Sequence, residues 1–250
     1  LLSFLYNFFY KIKDPLSGLK VYKVNILKNF KNNIKDNYFL VDLVSSSLKK
    51  DFTVKNYPKN SMIVLEEEYG DTVYFVKQGT IKISRLNDEG KEVILALLGN
   101  GEIFGELSAL DGEARSANAH AQENCQVYSI NSNDFLHMLK TNFKITYGLL
   151  GELAKRIRKS DQQIEALSLS DAEHRIGVCI LNFAEDMGVI RKGQVTIENL
   201  PYQQDIANMA GTSRETVSRV FKILEDRHML FKEGHTLIIP DYSYFKRVFG

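Results

Sequence analysis

Two short runs hold most of the chemistry in this chain. The first is GEIFGELSALDGEARSANA, residues 101–119. Glycine at 105 lets another backbone or a ligand approach closely, and Gly105-Glu106-Leu107 opens a short helical turn. Free N–H groups at a helix start favour an anion. Nine residues past Glu106 stands Arg115, whose guanidinium is a permanently charged planar fork matched to phosphate. Ser116 adds a hydroxyl donor, and Glu106 can accept from sugar hydroxyls. Together these side chains describe a seat for a sugar phosphate. The plainer alternative is a Glu106–Arg115 ion pair that merely holds a loop. Either way the groups suit binding rather than turnover. No nucleophile sits beside a base, no metal-ligand set recurs, and no Walker-type loop is present. The sequence reads as a non-enzyme with no metal site.

The second run is Thr212-Ser213-Arg214-Glu215-Thr216-Val217-Ser218-Arg219. The spacing predicts a helix over 202–209, a turn through Gly211 and a second helix over 213–226. That arrangement is the helix-turn-helix signature, whose second helix meets base edges with its N-terminal residues. Arg214 with Ser218, and Glu215 with Arg219, are four apart and share one broad face. Arginine reads guanine with two hydrogen bonds, and a carboxylate accepts from cytosine N4. Val217, Val220, Phe221 and Leu224 form the opposite, apolar face, expected to pack on Ile206 and Met209. Lys222 and Lys232 are candidate phosphate contacts. HTLIIP, residues 235–240, reads as a strand that makes the unit winged. Two duller roles compete for the same residues: Thr212-x-x-Glu215 is a capping box, and Glu215–Arg219 an ordinary helical pair.

The elements that must position these runs meet at one stretch, residues 143–169. It contains no proline. Phe143, Leu150, Leu153, Ile157, Ile164 and Leu167 step by three and four, and Thr146 and Ser160 fill the same grid. A narrow a/d seam with charged flanks is the pattern of a two-helix coiled coil. We expect a homodimer through Leu150, Leu153, Ile157, Ile164 and Leu167; the alternative is a helix lying on its own domain. Before it, FTVKNY, SMIVLE, TVYFVKQGTIKISRL, KEVILALL, SANAHA and CQVYSI are short β segments separated by turn residues. They predict a small antiparallel β-roll or jelly roll. The fold expected is α+β. An arm spans 1–37, a β-roll effector domain 38–142, a dimerisation helix 143–169 and a winged helix-turn-helix domain 170–250. A short helix is expected at Asp42–Leu48.

Composition narrows the classes. With a net charge of +1 over 250 residues, any nucleic-acid contact must come from a local patch. Cys125 and Cys179 stand far apart, with no zinc or iron–sulfur spacing, which fits a reducing cytoplasm. The apolar start LLSFLYNFFYKI is about half of the roughly 20 residues that cross a bilayer, so no membrane partner is expected. Lysines crowd residues 11–35 without a clean helical face. The plain reading is an exposed arm.

Taken together, the reading helix and the order of parts resemble the CRP/FNR family of bacterial transcription regulators, over about Tyr38 to Pro240. The arm before Tyr38 lies outside the resemblance. It implies a β-roll, a dimer helix and a winged reader acting on double-stranded DNA, with RNA polymerase as a further partner. Arg214, Glu215 and Arg219 match family residues that contact TGTGA-like palindromic half-sites. The 105–116 run resembles the phosphate cassette of cyclic-nucleotide-binding domains, which implies cyclic AMP or a related nucleotide as effector. Arg156 matches a basic position near the ligand. Ser160 and Asp161 match two hydroxyl residues that meet the base, and Asp161 departs from that pattern. Related regulators keep a similar run for other signals. The alternatives are therefore haem or a gas (through a lone His120 or His137), redox, another metabolite, or no ligand.

Overall fold

The computed structural model describes residues 52–250. The N-terminal arm and the helix expected at Asp42–Leu48 lie outside the described residues. The first part is β1 (Thr53–Tyr57), β2 (Met62–Val64), β3 (Thr72–Gln78), β4 (Ile81–Leu86), β5 (Glu92–Leu98), β6 (Ile103–Phe104), a one-turn helix α1 (Glu106–Asp111), β7 (Asn118–Ala121) and β8 (Cys125–Asn131). The strands form two four-stranded sheets, ordered β1-β8-β3-β6 and β2-β7-β4-β5, with every pairing antiparallel.

The run Val73-Tyr74-Phe75-Val76 on β3 is buried throughout, because its two faces serve two cores. Tyr74 and Val76 point into the roll with Ile81, Leu98, Phe104 and Val127. Val73 and Phe75 point outward and are covered by α2 (Ser132–Thr141) and α3 (Phe143–Leu169), through Phe135, Met138, Ile145 and Leu149. Burying each such side chain contributes about 1.5–3 kcal/mol.

The helix α3 covers the stretch whose apolar spacing predicted it. It carries two stripes rather than one. Ile145 and Leu149 are buried on the core of the β-roll, and Leu153 is partly buried there. Thr146, expected on the seam, instead donates its hydroxyl to Leu139 O at 2.5 Å. Of the other seam residues, Leu150, Ile157, Ile164 and Leu167 are 59, 62, 62 and 47% exposed, and Phe143 and Ser160 are exposed as well.

Ser170 and Asp171 are extended and form the whole joint to the next helix, α4 (Ala172–Met187), which Asp171 caps by accepting from His174 N at 2.8 Å. Then follow β9 (Gly188–Arg191), β10 (Gln194–Ile197), α5 (Gln203–Ala210), α6 (Arg214–Asp226), β11 (Phe231–Glu233), β12 (Thr236–Ile239) and α7 (Tyr242–Phe249). The second unit has its own core, built around Ile176, Ile180, Ile206, Val217, Leu224 and Phe245. Its sheet is ordered β11-β12-β10-β9: the short strands the sequence predicts at VTIE, residues 195–198, and at HTLIIP appear as β10 and β12, while β9, β11 and α7 are additional. β9 begins at Gly188, where a Cβ would meet Ala184 O at 2.3 Å, so glycine both ends α4 and opens the strand. β11 is exposed at all three positions and therefore has no apolar alternation to read.

The two units touch. Leu97 on β5 packs against the core of the second unit. Glu92 holds Lys82 at 2.6 Å and accepts from Asn208 of α5 at 3.3 Å. Gln163 of α3 donates to Met209 O at 3.1 Å.

Candidate functional site

The turn between β6 and β7 gathers the first set of predicted residues. Gly105 is left-handed, with φ of 75°, and a Cβ there would lie 2.7 Å from Arg115 Nη1. Glycine is required on both counts. Arg115 is 6% exposed. Its Nη1 donates to Gly105 O and its Nη2 to Thr72 O, each at 2.7 Å. Among the described residues no carboxylate pairs with it. The expected alternative, a Glu106–Arg115 ion pair, is thereby corrected.

Glu106, 2% exposed, pairs instead with Arg156 of α3 at 2.8 Å, and Arg156 Nη2 also donates to Ile103 O at 2.6 Å. Burial pushes the Glu106 carboxyl above its ordinary range, opposed by the Arg156 charge. A partner fifty residues away in sequence was missed because only the fold brings α3 over this turn. Ser116 is exposed, and Leu107 is 44% exposed. Ser160 and Asp161 lie about one turn beyond Arg156 on α3, both exposed. The structure thus brings Gly105, Glu106, Arg115 and Arg156 together, with Ser160 and Asp161 further along the helix on its open side. The arrangement can seat an anion on Arg115 and a hydroxyl on Glu106.

The second site is the exposed face of α6. Ser213 caps the helix, accepting from Thr216 N at 3.2 Å. Thr212, expected in a capping box, instead closes the turn by donating its N–H to Ala207 O at 3.0 Å. Gly211, at φ of 59°, makes that turn. Arg214, Glu215, Ser218, Arg219 and Lys222 are exposed, while Val217, Val220, Phe221 and Leu224 are buried, as the spacing predicted. The expected Glu215–Arg219 pair is not formed; Arg219 Nη2 lies 3.3 Å from Thr216 Oγ1. Backbone N–H at the helix start, with Ser213, holds the Glu215 carboxyl below its ordinary range.

Beside this face lies a concavity of about 550 Å³, lined by Pro201, Tyr202, Gln203, Gln204, Arg214, Lys232 and His235. Gln203, Gln204 and His235 were missed. They come from the start of α5 and from the β11–β12 hairpin, and only their convergence on Arg214 marks them.

Comparison with known proteins identifies the two domains that carry these residues. Residues 54–142 match the cyclic nucleotide-binding domain, and residues 175–248 the Crp-like helix-turn-helix domain. The chain is 32% identical to the cAMP-activated global transcriptional regulator CRP of Haemophilus influenzae over 187 residues, covering 73% of this chain and 82% of that protein. Among solved structures, a CooA variant from Carboxydothermus hydrogenoformans superposes with a TM-score of 0.72 at 22% identity, over 84% of this chain and 95% of that one. The c-di-GMP responsive global regulator CLP of Xanthomonas campestris superposes with a TM-score of 0.63 at 20% identity, over 80% of this chain and 98% of that one.

Proposed function

The chain belongs to the CRP/FNR family of transcription regulators, and from that membership we propose that it acts as a homodimer whose DNA affinity is set by a cyclic nucleotide, cyclic AMP or a close relative. It pairs an effector-binding domain with a helix-turn-helix reader, and its relatives and fold are those of regulators rather than enzymes. Among the described residues no helix is long and apolar enough to cross a membrane. The division at 38–142, 143–169 and 170–250 is part of the same proposal, as are RNA polymerase as a partner and a cytoplasmic setting.

One observation carries the effector reading. Arg115 is a buried cation satisfied by two carbonyl oxygens and by no carboxylate among the described residues. Glu106 acts on it only at longer range and is itself paired with Arg156; an incoming phosphate would give the buried guanidinium a direct counter-charge. Glu106 would then take a ribose hydroxyl while Arg156 keeps its other contacts. The base would reach towards Ser160. On the reader, Arg214, Glu215 and Arg219 would meet base edges of a palindromic, TGTGA-like half-site, with Ser213, Ser218, Lys222 and Lys232 on the backbone. The exposed stripe of Leu150, Ile157, Ile164 and Leu167 supports a second copy of the helix as its cover.

Asp161 favours a second reading, in which the same fold answers to a different signal. It is an exposed carboxylate where the family resemblance places a hydroxyl, which changes what a base would meet. Calorimetry against cyclic AMP and cyclic GMP, with DNA affinity measured with and without each, decides between them. A heat of binding and a rise in DNA affinity are expected for one of the two. No heat for either would remove the cyclic-nucleotide reading and leave the reader intact.

A further inference from the structure

The turn of the helix-turn-helix is tied to the end of the long helix. Helix α5 stops at Ala210, and the carbonyls of its last turn have no partner within the helix. Ala207 O is met by the turn itself, through the N–H groups of Gly211 and Thr212. Met209 O accepts from Gln163 Nε2 of α3 at 3.1 Å. Ala210 O accepts from Arg175 Nε of α4 at 2.9 Å, and the same guanidinium donates through Nη1 to Ser170 O, also at 2.9 Å. Ser170 is the residue that ends α3, so one side chain joins the end of the long helix to the turn. A cation is favoured there, because the last carbonyls of a helix carry partial negative charge. Gly211 completes the set: a Cβ at that position would lie 3.0 Å from Leu167 Cδ2 of α3. Met209, Ala210 and Gly211 are thus met in order by Gln163, Arg175 and Leu167.

Just past this turn Ser213 caps α6, so whatever holds the turn also sets the reading helix. The covalent joint does not do this alone. Ser170 and Asp171 are both extended, and the free φ and ψ of two residues would let the reader swing. We propose that Gln163, Leu167 and Arg175 are positioning residues for the reading helix: they grip the turn at Met209, Ala210 and Gly211, so that α6 follows the end of α3. Gln163 supplies a directional bond from the long helix. Arg175 supplies a planar fork whose two edges reach different acceptors. Leu167 is also a residue of the proposed seam and is exposed, with one flank on the turn and another open to a partner helix. A change in how two copies of α3 meet would reach the turn through that side chain. With the grip made, Arg214, Glu215, Ser218 and Arg219 remain exposed, so the gripped state can take DNA.

The grip rests on the proposed dimeric reader but not on which effector binds. The test compares wild type with two variants. Gln163→Leu lies outside the core of the second unit and removes the donor with little change in size. Arg175→Lys keeps the charge but cannot span two carbonyls. Hydrogen exchange of the effector-free full chain is followed on residues 209–213 and on the α4 core, residues 176–184. Exchange at the turn should quicken roughly 2- to 10-fold in each variant, with the α4 core unchanged. Unchanged exchange at the turn would overturn the proposal. The second arm is gel-shift titration of a palindrome and of one half-site, in buffer and in excess cyclic AMP. Wherever wild type prefers the palindrome, each variant should bind the half-site as wild type does. It should lose roughly 10-fold of the preference, because two loosened readers must be ordered on one duplex. A preference kept in full would overturn the proposal. So would equal weakening on both DNAs, which marks damage to the reader itself. A wild type without preference in either condition ends the dimeric reading, and the exchange result alone then decides the grip.

Discussion

Arg115 has two roles that a substitution must separate. Its guanidinium ties Thr72 O to Gly105 O, so it braces the turn as well as offering charge to an anion. Arg115→Leu would strand two carbonyls, each at about 1–3 kcal/mol. Arg115→Lys is the better probe, since it keeps the charge and loses the fork. Calorimetry should show nucleotide affinity falling roughly 10-fold or more, with circular dichroism unchanged. Unaltered affinity would take Arg115 out of the site.

Glu102 supplies a second residue-scale expectation, on stability. Burial raises its carboxyl, in the turn between β5 and β6, from 4.5 to about 7 in the folded chain. The unfolded chain therefore gives up this proton first. The penalty is absent below about pH 4.5, grows between there and about 7, and is full above. Glu102→Gln should leave the melting temperature nearly unchanged at pH 5 and raise it by a few degrees, roughly 3 °C, at pH 8. An equal effect at both pH values would show that the carboxyl is not held protonated by the fold.

At the scale of elements, α3 carries the proposed dimer seam. Its inward stripe is occupied by the sensor core, and its outward stripe, Leu150, Ile157, Ile164 and Leu167, is left to solvent within one copy. Ile157→Asp would place a charge in that seam, unpaired against its twin, at several kcal/mol. Sedimentation should find wild-type dimer and variant monomer at micromolar concentration, and a monomeric wild type would end the coiled-coil reading.

The legibility of the elements tracks the strength of their periodicity. The strands of the roll and the helices α3 to α6 were readable, because alternation or helical spacing runs through each. The seam was only partly readable. Thr146 and Leu153 fit the a/d grid, yet the sensor claims the first by a hydrogen bond and the second by packing. The strand β11 and the helix α7 were not read: β11 is exposed throughout, and α7 has only Phe245 and Phe249 buried, four residues apart. In the cradle, Gly105, Glu106 and Arg115 were legible from local order. The pairing of Glu106 with Arg156 was not, since it depends on how α3 crosses the turn.

At the scale of the whole molecule, the proposed regulation needs the state of the β-roll to reach the reader, and the joint at Ser170–Asp171 is the covalent route between α3 and α4. It is short, and the reader is also held by Gln163, Lys159 and Leu97. An effector that favours one docking of the reader over another shifts DNA affinity only by its differential binding to the two states, typically about 1–3 kcal/mol. A dimer through α3 would fix two reading helices about one turn of DNA, roughly 34 Å, apart. Selection from random DNA should then return a two-fold symmetric site. Inserting about half a helical turn, about five base pairs, at its centre would rotate one half-site to the far side of the duplex. Affinity in a gel-shift titration should fall to that of a single half-site. Ile157→Asp should bind intact and interrupted sites alike, because a monomer reads each half alone. If wild type tolerates the insertion without loss, the two readers are not held by one rigid pair of helices, and the bivalent docking model is wrong.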